Sequence, residues 1–285
     1  MRRRAISSEA AAGVVLAAVA LTSFSPSLMA TEPPRITSMN VCTDQLLLTL
    51  AGEQIQGLSR YARNAEQSWA ASEARAYPIL SGGAEDILML KPDIVLASQF
   101  DKRETRALLR QNGLRLVEFA VPRDLVDVKA QIREVGAMAG HSDRAEEEIA
   151  RIDAALERAK RAVANRHYRI LPLSRRGWVS GDESLIGSLL KEIGLINAAA
   201  ELGVSSGGFV SLESIVKLKP DFLLVSESGN RAEDDGRAFL LHPALEQFYP
   251  ASKRIVVPER LTVCGGVMLA DAFDLLAQGV ERVGR

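Results

Sequence analysis

Histidine and cysteine are scarce in this chain, with three of the first and two of the second in 285 residues. His141, His167 and His242 lie apart, without the spacing that brings imidazoles together on one ion. A bare divalent-metal site needs a cluster of His and carboxylate ligands, so none is expected. The three histidines read as surface or capping residues. An excess of either charge is lacking too: 35 Lys and Arg stand against 36 Asp and Glu, a net charge of −1. That balance offers nothing to a polyanion, and a nucleic-acid partner is not expected. Also missing are the Gly-x-x-x-x-Gly-Lys phosphate loop and the Gly-x-Gly-x-x-Gly dinucleotide fingerprint. A serine-hydrolase elbow with its downstream His is likewise not expected. No catalytic residues can be assembled, so the chain reads as a non-enzyme that calls for no cofactor. The rival from that class is a two-lobed α/β enzyme with an unrecognised site.

The apolar run Ala10 to Leu21 spans about a dozen residues, short of the roughly 20 that cross a bilayer. It follows Arg2-Arg3-Arg4 and precedes small residues ending at Met29-Ala30, the pattern of a cleaved secretory signal peptide over residues 1–30. Removing those residues takes away three Arg and one Glu, leaving 32 basic and 35 acidic side chains, a charge of −3. In an exported chain Cys42 and Cys264 have two readings, a structural disulfide or inert thiols on one side and thiolate ligands to a metal on the other.

The remaining chain reads as α/β. Strand candidates begin at Arg35, Ile55, Asp93 and Arg115, with helices between them at 46–50, 85–90 and 105–111. Strand–helix–strand spacing predicts a parallel sheet with crossover helices. Thr43 or Asp44 is the expected cap of the first helix. From Leu125 to Asn165 the composition turns charged and helical. Ile149, Ile152, Leu156, Ala159 and Val163 place one apolar stripe on a helix from Asp143 to Ala164. At about 1.5 Å per residue such a helix is about 33 Å long, enough to bridge two lobes. The α/β pattern then restarts, with strands at 168–173, 221–225 and 254–257 and helices at 185–193, 212–218 and 267–276. The expected organisation is an N-terminal lobe over 31–142, a bridging helix over 143–165 and a C-terminal lobe over 166–285.

An internal repeat supports two related lobes. Glu85-Asp86-Ile87-Leu88-Met89-Leu90-Lys91-Pro92-Asp93 matches Glu213-Ser214-Ile215-Val216-Lys217-Leu218-Lys219-Pro220-Asp221 at an offset of 128, and both copies run on as an apolar strand to Ser98 and Ser226. In each, a short helix stops before proline, and a Glu in its first turn suits the helix dipole.

These segments, the opening Arg35-Ile36 strand, the bridging helix and a Gly-x6-Gly-x2-Asn run from Gly187 to Asn197 together resemble the periplasmic binding proteins for ferric siderophores, haem and cobalamin. The resemblance covers Arg35 to Val280. It implies the class III fold, two Rossmann-like lobes with parallel sheets joined by one long helix. It implies a monomer in the periplasm that gives a metal chelate to an ABC permease, and it implies that Glu85 and Glu213 dock onto that permease. The ligand would lie between the lobes, at loops 40–44, 59–63, 81–83, 98–100, 174–181, 226–231 and 262–266. In those loops Arg60, Tyr61, Phe100, Arg175, Arg176 and Trp178 are the candidate contacts. Arginines and hydrogen-bonding aromatics suit an anionic ferric siderophore, which is the expected cargo; the alternative is a corrinoid or haem, which flat aromatic faces would suit.

Overall fold

The computed structural model describes residues 32–164, 166–226 and 238–284. The chain divides into Met1–Glu32 and Pro33–Arg285, and all that follows belongs to the second unit. The expected signal peptide and residues 227–231 of one candidate loop lie outside the described residues.

The first lobe is built on β1 (Ile36–Ser38), β2 (Ile55–Gly57), β3 (Ile94–Ser98) and β4 (Arg115–Phe119), all parallel, in the order β2-β1-β3-β4. Ile94, Val95, Leu96 and Ala97 are all buried, as a central strand covered on both faces requires. The edge strand β4 carries Glu118, which is paired with Arg106 and Arg110 of α3 (Arg103–Gln111), and charges there blunt edge-to-edge association. The other helices of this lobe are α1 (Val41–Leu50), α2 (Ala84–Leu90) and α4 (Leu125–Ala139).

The cap of α1 differs from expectation. Asn40 fills that role, its side chain accepting from Cys42 N and Thr43 N. Thr43 and Asp44 are turned inward instead: the Thr43 hydroxyl meets Ser38 Oγ at 2.7 Å, and Asp44 is fully buried.

The long helix α5 (Ser142–Val163) has the predicted stripe, and all five of its apolar residues are buried. Burying an aliphatic side chain of the Ile or Leu size is worth about 1.5–3 kcal/mol. α5 packs on α4 and on α9 (Leu269–Val283), which runs seven residues beyond the expected stop at Leu276.

The second lobe holds β5 (Arg169–Leu173), β6 (Trp178–Ser180), α6 (Leu185–Glu192), β7 (Ile196–Asn197), β8 (Gly207–Phe209), α7 (Leu212–Leu218), β9 (Phe222–Val225), α8 (Pro243–Phe248) and β10 (Arg254–Val256). Its order is β10-β9-β5-β6-β8, with β7 beside β5. β7, β9 and β10 run parallel to their neighbours, but β6 and β8 are antiparallel, so this sheet is mixed and not all-parallel as expected. The reversal is local. Arg176 (φ 58°) and Gly177 (φ 77°) adopt left-handed backbone, and Ser174 N donates to Trp178 O at 2.8 Å to close the turn. Strands of three residues leave no alternation to read.

The repeat has a structural meaning that only the fold discloses. Asp93 Oδ2 accepts from Arg35 N at 2.7 Å, and Asp221 Oδ2 accepts from Arg169 N at 2.8 Å. Each Asp therefore fastens the mouth of its own strand to the neighbouring one. Lys91 and Lys219 end α2 and α7 in the same left-handed conformation. One continuous core runs from Ile36 through α5 to Val280, so the lobes share their apolar interior along the bridging helix.

Candidate functional site

Loops that follow strands of the two sheets meet, those after β1 and β4 with those after β6 and β10. In the first sheet β1 lies between β2 and β3, which makes the β1/β3 boundary the switch point where open α/β sheets bind ligands. A cavity of about 200 Å³ opens there, lined by Ser59, Arg60 and Tyr61 after β2 and by Phe100, Asp101 and Lys102 after β3. An Arg60 guanidinium nitrogen donates to the Tyr61 hydroxyl at 2.6 Å, and the guanidinium lies 4.8 Å from the centre of the phenol ring. Phe100 is 75% exposed and Tyr61 40%, a large apolar display for two neighbouring loops.

Beneath this wall the loops are tied to α1. Asp44 Oδ1 accepts from Ser59 N at 3.0 Å and Oδ2 from Ser59 Oγ at 2.5 Å. Ser59 Oγ in turn accepts from Tyr61 N at 3.2 Å. Asp101 accepts from Ser98 N at 2.7 Å and from Asn40 Nδ2 at 3.3 Å. Burial pushes the Asp44 carboxyl up to about 7; hydrogen bonds from Ser38 and Ser59 oppose that rise, and the Asp101 charge adds to it.

The second wall is a cavity of about 490 Å³ lined by Arg175, Arg176, Trp178, Phe209, Glu259 and Val263, among others. Trp178 and Phe209 face each other across β6 and β8, edge to face with ring centroids 5.0 Å apart. A Cβ at Gly207 would stand 2.4 Å from the Trp178 ring, so the indole is seated where a side chain is missing. Phe209 remains 68% exposed.

Beside the second wall the lobes touch. A third cavity of about 340 Å³ is shared by Val121, Pro122 and Arg123 after β4 with Leu185, Thr262 and Val263. A Cβ on Gly265 would meet Pro122 Cγ at 2.4 Å and Val128 Cγ2 at 2.7 Å, so the Gly265 backbone lies against these side chains with no room for one of its own. Cys42 at the start of α1 and Cys264 after β10 form a disulfide here, with Cα atoms 5.2 Å apart. Their sulfurs are bonded to each other and are not thiolate ligands, and among the described residues no group of three His, Cys, Asp or Glu could hold a metal ion.

Arg60, Tyr61 and Phe100 thus gather in one cavity and Arg175, Arg176 and Trp178 in the other. Arg63, on the same candidate loop as Arg60, instead donates to the carbonyls of Ala74, Arg75 and Tyr77 and serves as an internal staple. Glu85 and Glu213 are exposed in the first turns of α2 and α7, Glu213 pairing with Lys217 at 2.7 Å. His242 caps α8, its Nδ1 accepting from Ala244 N. Sequence reasoning missed Phe209, Lys102 and the buried role of Asp44; a Gly-Gly-Phe run opposite a Trp was the one available signal.

The reading of no hydrolase elbow needs a correction. Gly203-Val204-Ser205-Ser206-Gly207 does spell Gly-x-Ser-x-Gly. It runs from a 3-10 turn into β8, the reverse of the strand–turn–helix that presents a nucleophile, so the string carries no elbow.

The sequence profile of the family described as "Periplasmic binding protein" matches residues 46–256. Cobalamin-binding proteins from two strains of Halobacterium salinarum are 23% identical over 220 residues, covering 73% of this chain; the chain spans 58% of the length of these curated relatives. Among solved structures, the periplasmic heme-binding protein RhuT from Roseiflexus sp. RS-1 in apo form is 25% identical with a TM-score of 0.71, over 89% of this chain and 100% of that one. A periplasmic heme-binding protein from Pseudomonas aeruginosa is 20% identical with a TM-score of 0.67, over 86% and 91% of the two chains. Among the described residues no helix is long and apolar enough to cross a membrane.

Proposed function

The chain belongs to the periplasmic binding protein family, and from that premise we propose that it is the exported binding component of an ABC importer and not an enzyme. On this reading it captures an anionic metal chelate between its lobes and gives it to a membrane permease. One observation carries the reading: each lobe sets an exposed aromatic pair beside cations in a cavity at the ends of its own strands. Tyr61 and Phe100 lie with Arg60 and Lys102, and Trp178 and Phe209 lie with Arg175 and Arg176. Aromatic faces offer area at low entropic cost, and guanidinium groups hold carboxylates.

Two aromatic walls favour a chelate with flat conjugated faces, haem or a corrinoid, and the cations beside them suit the carboxylate rim of haem. The names of the relatives agree with that class. A ferric siderophore is the second reading, favoured by the four cations. Glu85 and Glu213 occupy matching, exposed positions on α2 and α7, which supports their use as permease contacts. Exposed pairs are worth about 0–1 kcal/mol each, so they would set orientation and encounter rate more than affinity.

The test is a titration of the mature chain with haemin, cobalamin and a panel of ferric siderophores, following the fluorescence of Trp69 and Trp178. Saturable quenching by one of them, weaker in Trp178→Phe, is expected. With that cargo, Glu85→Lys with Glu213→Lys should abolish uptake and leave binding unchanged. No quenching by any chelate would sink the cargo class, and undiminished uptake would sink the docking role.

A further inference from the structure

Asp44 is a carboxylate without solvent exposure in the first turn of α1, outside the cavity lining yet one hydrogen bond from it. It is not the helix cap, a role that Asn40 fills. Each of its oxygens accepts from Ser59, one from the backbone N–H and the other from the hydroxyl, and the Ser38 hydroxyl bonds the carboxyl as well. Ser59 passes that constraint to Tyr61 N, and Tyr61 is itself bonded to Arg60. A helix-borne group thus governs the conformation of the three-residue turn that forms one wall of the site.

We infer that Asp44 is a positioning residue for cargo capture, holding the Arg60–Tyr61 pair through Ser59, and that its charge is linked to the binding of an anionic ligand. This rests on the reading that the cavity beside Arg60 and Tyr61 takes the cargo. The physical reason is proximity of like charge. Asp101, which lines the same cavity, already disfavours the ionised form of Asp44, and burial does so more strongly. The other charged groups lining that cavity, Arg60 and Lys102, face the cargo; Ser38, Thr43 and Asn40 around the first turn of α1 are neutral, and the adjoining Cys42–Cys264 disulfide does not titrate. An anionic chelate settling between Arg60 and Lys102 brings further negative charge towards Asp44 and draws a proton onto it. By reciprocity, a proton already on Asp44 tightens the chelate.

Haemin is the probe for the test, titrated from about pH 6 to about pH 8 into wild type, Asp44→Asn and Asp44→Ala, with amide exchange at Ser59 and Tyr61 followed in the unliganded proteins. Wild-type affinity is expected to fall several-fold as pH rises, up to about tenfold if binding shifts the carboxyl by one pH unit. Asp44→Asn should be flat across the range. Asp44→Ala should bind more weakly at every pH and exchange faster at both amides. A slope in Asp44→Asn equal to that of wild type overturns the charge linkage, and unchanged exchange in Asp44→Ala overturns the positioning role. If Asp44→Ala does not fold, the slope comparison with Asp44→Asn stands alone. If haemin binds no variant, the cargo reading fails for this probe, while the exchange measurement still decides the role of Asp44.

Discussion

Asp44 shows how one side chain couples stability to the site. An ordinary aspartate titrates near 3.8, and burial raises this one to about 7. Between those values the unfolded chain releases its proton while the folded chain keeps it, so folding stability falls as pH rises from about 4 to about 7 and is level above. Asp44→Asn removes the buried charge. Its denaturation midpoint should therefore gain on wild type at pH 8 relative to pH 5, as urea titrations at the two values would read; an equal difference at both would refute the linkage. Nearby Arg63 makes the converse point, since its three carbonyl acceptors give it a structural duty that its place on a candidate loop does not disclose.

At the scale of elements, the Gly-x6-Gly-x2-Asn run turns out to be packing. A Cβ on Gly187 in α6 would lie 2.2 Å from the Gly181 carbonyl oxygen. Gly194 takes a φ of 89° just past that helix, and Asn197 donates to Ser180 O while accepting from Ala199 N. Gly187→Ala should cost about 1–3 kcal/mol by overpacking against backbone that cannot yield; a midpoint unchanged in chemical denaturation would contradict that packing. The long periodic elements were legible in the sequence: the stripe of α5, the Lys-Pro-Asp stops and the buried run of β3 all carry their period or punctuation in the residues. The short antiparallel strands β6 and β8 were not. Their pairing depends on the left-handed turn at Arg176 and Gly177 and on a Trp seated over Gly207, contacts that join residues about 30 apart. The candidate site was legible in half for the same reason. Arginines and aromatics in loops can be listed from sequence, but Phe209 and Lys102 join them only once the strands are laid side by side.

On the scale of the whole molecule, the two sheets are not independent bodies resting on a hinge. Their shared core follows α5 and α9, the Cys42–Cys264 bond ties α1 to the loop after β10, and Trp69 Nε1 reaches Asp271 of α9 at 2.7 Å. Asp271 also accepts from Arg151 of α5 at 3.2 Å, which gathers Trp69 and both long helices at one point. Such cross-ties join the two lobes to one another, and a preorganised site spends less of its binding energy on ordering. A bound metal chelate should accordingly sit between walls already in place. The most direct measurement is the anomalous-scattering position of the metal in crystals grown with the chelate that quenches tryptophan fluorescence. The account predicts one peak between the Tyr61–Phe100 wall and the Trp178–Phe209 wall. A peak elsewhere on the surface, with the space between those walls holding only solvent, would contradict it.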